Sequence, residues 1–176
     1  DPPFCRARTQ DAGDNLMYCD SQRPDGVDVD LRALWNRAKK NFALDSYSIH
    51  GPSHWKRVEQ NGIALAQETP GANLLVVRMF AVFHDCERRD DGRDPEHGPR
   101  AAALIKRKQG KWFQLPDDAL ELLCEACRHH THGGQTEEPT IGCCWDADRL
   151  DLTRISVVPH ARFMSTEAGR RRAAND

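Results

Sequence analysis

Residues 72–85 read Ala-Asn-Leu-Leu-Val-Val-Arg-Met-Phe-Ala-Val-Phe-His-Asp, a nearly unbroken apolar run that ends on an adjacent histidine and aspartate. β-branched residues would allow a strand, but the length of the run and its helical neighbours predict a buried helix. Around the His84-Asp85 pair stand His54 before it and His97, His130 and Asp148 after it. Imidazole nitrogens and carboxylate oxygens are ligands that first-row divalent cations take. Two His and two Asp also carry two negative charges, which match one M²⁺. An octahedral ion held by four protein groups keeps two positions for water and substrate, which separates a catalytic site from a closed structural one.

A core large enough for such a cage needs one domain, and 176 residues are within the range of one. Hydrophobic residues at 39%, charged residues at 30% and few aromatics fit a helical protein with a modest core better than a β-sandwich. A net charge of -2 gives no reason to expect bulk binding to nucleic acid. No run approaches the roughly 18 apolar residues that span a bilayer, and no secretory signal opens the chain. These features predict a cytoplasmic protein without a membrane partner. The first residue is Asp, as in a trimmed or processed chain.

Seven cysteines are an odd number, and Cys143 and Cys144 are neighbours, so a disulfide framework is not expected. Cys124-x-x-Cys127 followed by Cys143-Cys144 raises a structural zinc site. Against it, Cys124 and Cys127 fall in a helical pattern where a free thiol behaves as a small apolar residue, and that reading is preferred. Cys86, next to the His-Asp pair, is expected to pack.

Residues 1–27 are polar, rich in Pro, Gly and Asp, and read as an arm or irregular lead-in. The helical domain is expected over residues 28–167, with a basic, frayed tail over 168–176. Asp30 is a good N-cap for a first amphipathic helix with Leu31, Leu34, Trp35, Ala38 and Phe42 on one face. Gly51-Pro52-Ser53 starts a second, with His54 in its first turn. After the buried third helix, a polar loop from Cys86 to Gly98 rims the site. A fourth helix with His97 at its start runs to about Lys108, and a fifth from Pro116 to about His130. A sixth, Cys143 to Leu152, carries Asp148.

The strings SHWKRV, FAVFHD, HGPRAA, ACRHHT and DADRLD, in this order over about residues 50–155, resemble the successive motifs of the HD-domain superfamily of metal-dependent phosphohydrolases. More narrowly, the chain resembles small bacterial members that share HGPxHWxRV, FHDxxR, DPEHGPRAA and CWDADRLDL, and they bring no settled reaction with them. The resemblance implies an all-α HD-domain bundle of about six helices around a metal site. It implies a divalent ion on His54, His84, Asp85 and Asp148, and a second ion on His97 and His130 with Asp85 bridging. Asp85 is thereby also a catalytic candidate. The partner domains that some members add for cyclic dinucleotides or guanosine tetraphosphate are not expected in the short stretch after Asp148.

Within that frame Arg88, Arg89, Arg93 and Arg100, with Lys56 and Arg57 beside His54, are candidates to hold phosphate oxygens. The arginines of the loop also read as a solvated run paired with its own aspartates. Asp146 reads as a helix cap and Asp151 as the partner of an arginine, while His50 reads as a loop residue. Some members carry an acidic residue three or four positions after the pair to protonate the leaving group; here those positions are Arg88 and Arg89. Glu87 is the weak candidate for that role.

The expected function is hydrolysis of a phosphate ester or anhydride, on a small nucleotide-like phosphorylated substrate. One or two ions are expected, Mn, Fe, Co, Ni or Zn, with Mg less suited to imidazole ligands. Two rivals remain: the four-His, two-Asp set also resembles HD-type di-iron oxygenases, and a non-catalytic binding module would keep the same cage. The sequence leaves oligomeric state open.

Overall fold

The computed structural model describes residues 26–174. The lead-in assigned to residues 1–27 falls outside them up to residue 25. Seven α-helices occupy the described chain: α1 Leu31–Asn41, α2 Pro52–Glu68, α3 Leu74–Phe83, α4 His97–Lys108, α5 Asp117–His129, α6 Pro139–Leu150 and α7 Glu167–Arg172. Two short 3-10 turns, Asp151–Ile155 and Ala161–Phe163, link α6 to α7. Isolated bridges such as Asp28 with Gln114 are the only β pairing among the described residues.

The apolar run is the helix α3 and not a strand. Asn73 caps it by accepting from the Val76 amide, and seven of its ten residues, Val76, Val77 and Met79–Phe83, are buried. A helix apolar on every side must be enclosed by others, and α3 packs against α1, α2, α5 and α6. Trp55, Leu65, Leu34, Phe80, Leu123 and Ile105 fill the space between them. Replacing such a fully buried large side chain by Ala costs about 2–5 kcal/mol.

Two close crossings set the positions of the site-bearing ends. At Gly62 on α2 an added Cβ would lie 2.6 Å from Val77 Cγ1, and at Gly98 on α4 one would lie 2.6 Å from the Cys127 carbonyl of α5. Only glycine lets these helices approach so closely.

The structure changes three expectations. Helix α6 begins at Pro139, four residues before the expected Cys143, because the Glu138 carboxylate caps the Ile141 amide and Pro139 sits in the first turn. It also ends at Leu150, where the chain tightens into a 3-10 turn. Residues 167–172, which overlap the expected frayed tail, form α7: Ala168 is buried, and Arg171 and Arg172 pair with Glu68 at the end of α2.

Candidate metal centre

Five helix termini converge on one spot. The first turn of α2 brings His54, the end of α3 brings His84 and Asp85, the start of α4 brings His97, and the end of α5 brings His130. Asp148 comes from the last turn of α6. His54, His84, Asp85, His97 and His130 are buried, whereas Asp148 keeps 17% of its side chain exposed and so marks the open side of the cage.

Two groups of donor atoms form there, His54 with His84 and Asp85, and Asp85 with His97 and His130. They share Asp85 through different oxygens. Oδ2 lies 3.6 Å from Nε2 of both His54 and His84, while Oδ1 lies 3.2 Å from Nε2 of His97 and 3.6 Å from that of His130. Asp148 Oδ1 adjoins the first group, 3.2 Å from His54 Nε2 and 3.9 Å from His84 Nε2.

The protonation pattern follows from what each imidazole touches on its outer nitrogen. Nδ1–H of His84 donates to the Phe80 and Ala81 carbonyls, that of His97 to the Asp94 carbonyl, and that of His130 to the Cys127 carbonyl. Nδ1–H of His54 donates to Asp151 Oδ2 at 2.6 Å. An acceptor on every Nδ1 fixes the proton there, so in the neutral ring each Nε2 presents a lone pair inward. Those lone pairs face each other in twos, His54 to His84 at 3.0 Å and His97 to His130 at 2.9 Å. Two nitrogens on one ion at ordinary bond lengths of about 2.0–2.1 Å and right angles stand about that far apart. The residues therefore fit a metal ion.

Burial and the two carboxylates set the charge of the cage. Burial pushes His84 down to about 3 and His97 down to about 4. At His54 burial acts the same way, but Asp148 and Asp151 outweigh it and raise the pKa, and at His130 Asp85 does so. Burial alone would raise Asp85, yet His84, His130 and Arg88 hold its carboxyl well below the usual range. Asp148 is likewise lowered, by His54, His84 and His130 against the effect of burial. Both carboxylates stay ionised.

No family model matches the chain, and no curated protein does. Among solved structures, a match is the crystal structure of a predicted HD superfamily hydrolase from an uncultured Thermotogales bacterium. At 22% sequence identity it covers 81% of this chain and 82% of that one, with a TM-score of 0.62. The chain has an HD-domain fold. The all-α bundle expected from the motifs is thus observed, with its spaced His and Asp side chains gathered at one end of the HD core.

The basic residues around this cage divide into two kinds. Arg88 is buried, with Nε on Asp85 Oδ1 at 3.0 Å and Nη1 on the Asp90 and Gly92 carbonyls. Arg57 grips Asp151, and Arg100 takes the Asp94 carboxylate and the Glu87 carbonyl. Lys56, Arg89 and Arg93 are exposed and form no ion pair among the described residues. Glu87 is half-buried, and its carboxylate makes no hydrogen bond to the cage side chains among the described residues.

Sequence reasoning undervalued three residues. Asp146 caps no turn of its own helix; it accepts from the Ser165 and Thr166 amides and the Thr166 hydroxyl at the entrance to α7. His50, read as a loop residue, is buried with its Nδ1 3.1 Å from Asp91 in the 86–96 loop. Asp151 does pair with arginine, and it also holds His54. The spacing Asp148-x-x-Asp151 was the available signal, since residues three apart at a helix end share a side. Among the described residues no thiol joins either donor group: both are His and Asp, and the five cysteines there are free and buried.

Proposed function

We propose that this chain is a divalent-metal-dependent phosphohydrolase, acting on a phosphate ester or anhydride of a small, nucleotide-like substrate. The observation that carries this is the set of four inward Nε2 atoms arranged in two facing pairs around the shared Asp85 carboxylate. His54, His84, Asp85 and Asp148 would hold one ion, and Asp85, His97 and His130 a second. When bound, such an ion polarises a phosphoryl oxygen and brings the pKa of a water toward neutrality. Imidazole-rich ligation favours Mn, Fe, Co, Ni or Zn over Mg. The name of the Thermotogales neighbour, a predicted HD superfamily hydrolase, supports hydrolysis as the reaction class.

The chain's own residues supply the rest. The partly exposed Asp148 edge admits substrate, and the buried imidazoles opposite it keep water from the far side. Lys56 and Arg89, exposed and unpaired among the described residues, are left to attract phosphate oxygens. Arg88, Arg57 and Arg100 instead hold Asp85, Asp151 and Asp94, so their contribution is to keep those carboxylates in place. Glu87 stays the weak candidate for protonating the leaving group.

Phosphate release from a generic phosphate ester with added Mn²⁺ tests the reading. Activity is expected in the wild type and its loss in His84→Ala and Asp85→Ala. Absence of release with every metal tried would favour a binding module. One carboxylate shared by two imidazole pairs also suits a di-iron oxygenase. Two irons per chain with substrate-dependent oxygen uptake would favour that reading; Mn, Co, Ni or Zn without uptake would favour hydrolysis.

A further inference from the structure

Three of the four cage imidazoles are oriented by backbone carbonyls three or four residues before them, but His54 is not. The carbonyls three and four residues before it serve Trp55 instead, whose amide donates to the Gly51 carbonyl and whose indole Nε1–H donates to the His50 carbonyl at 2.7 Å. The acceptor for His54 Nδ1–H comes from 97 residues away, as Asp151 Oδ2 at 2.6 Å.

Asp151 is held firmly. Arg57, one turn after His54 on α2, donates Nε to Asp151 Oδ1 at 2.7 Å and Nη2 to Oδ2 at 3.1 Å. Arg154 approaches Oδ2 at 3.9 Å. The two acids of Asp148-Arg-Leu-Asp151 thus take one nitrogen of the same ring each, Asp148 at Nε2 and Asp151 at Nδ1. His54 is the cage imidazole whose orientation depends on a side chain and a charge.

We infer that Asp151, anchored by Arg57, is a positioning residue that fixes His54 as the Nδ1–H tautomer and strengthens its Nε2 as a donor to a divalent ion. An anionic partner on the outer nitrogen sets both the tautomer and the basicity of a ligating imidazole. An amide in its place has one acceptor oxygen for three donors, Arg57 Nε, Arg57 Nη2 and His54 Nδ1. Once Arg57 claims that oxygen, the amide NH₂ faces the ring and drives the proton to Nε2, where it blocks coordination.

The inference rests on the metal reading of the cage, and the test separates the two. Mn²⁺ titration calorimetry on wild type, Asp151→Asn and Arg57→Gln is paired with ¹⁵N spectra of the His54 ring in metal-free protein. Asp151→Asn is expected to weaken Mn²⁺ binding about 10–100-fold and to move the His54 proton from Nδ1 to Nε2, a change that a purely structural role would not produce. Arg57→Gln, at a half-exposed position, is expected to weaken binding less, and the double variant no more than Asp151→Asn alone. Should Asp151→Asn fail to fold, unaltered affinity in Arg57→Gln overturns the inference. Equal affinity in wild type and Asp151→Asn, or a neutral wild-type His54 ring that carries its proton on Nε2 in place of Nδ1, also overturns it. A wild-type chain that takes up no Mn²⁺ overturns the metal reading itself.

Discussion

At the scale of single residues, the cage is a matter of which nitrogen carries the proton. Every Nδ1 meets an acceptor, so in the neutral rings the four Nε2 atoms would be left as donors to a cation, and Asp85 turns one oxygen to each pair. The two groups should then separate by mutation. Asp148→Ala is expected to lose the ion of the His54 and His84 group, whereas His97→Ala is expected to lose only the second ion and part of the activity, as counted by elemental analysis. Full occupancy in Asp148→Ala would refute the assignment of that ligand. The six side chains that meet here were legible because each sits in a string of distinctive order. The jobs of the arginines were not, because Arg57, Arg88 and Arg100 choose their carboxylates across the fold. Spacing in sequence records a helix face, not what another helix lays against it.

At the scale of elements, close helix crossings and caps hold the ends in register. Gly98→Ala pushes a methyl into the Cys127 and Arg128 carbonyls, so α4 must move off α5 and carry His97 away from His130. A loss of about 1–3 kcal/mol is expected in denaturant unfolding, together with weaker binding of the second ion. Asp146→Ala leaves the Ser165 and Thr166 amides without their acceptor, and about 2–3 kcal/mol of stability should go. Faster amide exchange in α7 would locate that loss. The hold of α7 on α2 also has a pH signature. Hydrogen bonds from Arg172 and Arg171 lower Glu68 to about 2, below its unfolded value near 4.5. Their stabilisation is therefore complete above the unfolded value and is lost as pH falls from there through about 2. Acid unfolding of wild type and Glu68→Gln should converge at the low end of that window and differ above it. Helix α3 was readable from its length and apolarity, whereas α7 was not: six residues with three arginines carry no apolar period, and Asp146, twenty residues upstream of Thr166, supplies the anchor.

At the scale of the whole molecule, one apolar helix sheathed by its neighbours leaves the cage at the place where several termini meet, open on the Asp148 side. The same burial silences the thiols. Cys86, Cys127 and Cys144 are pushed well above the ordinary thiol value, and Cys124 and Cys143 are raised too. Since the thiolate is the reactive form, these five are expected to resist alkylation in the native protein and to react together on unfolding, as mass spectrometry would read. The sequence pattern had allowed a thiolate zinc site; packing places these sulfurs in the core instead. The most direct test of the cage is anomalous diffraction from crystals soaked in Mn²⁺. A peak is expected within about 2.0–2.3 Å of Nε2 of His54 and His84 and of oxygens of Asp85 and Asp148. Mn²⁺ found only elsewhere on the molecule, with these four side chains turned away from one another, would contradict it.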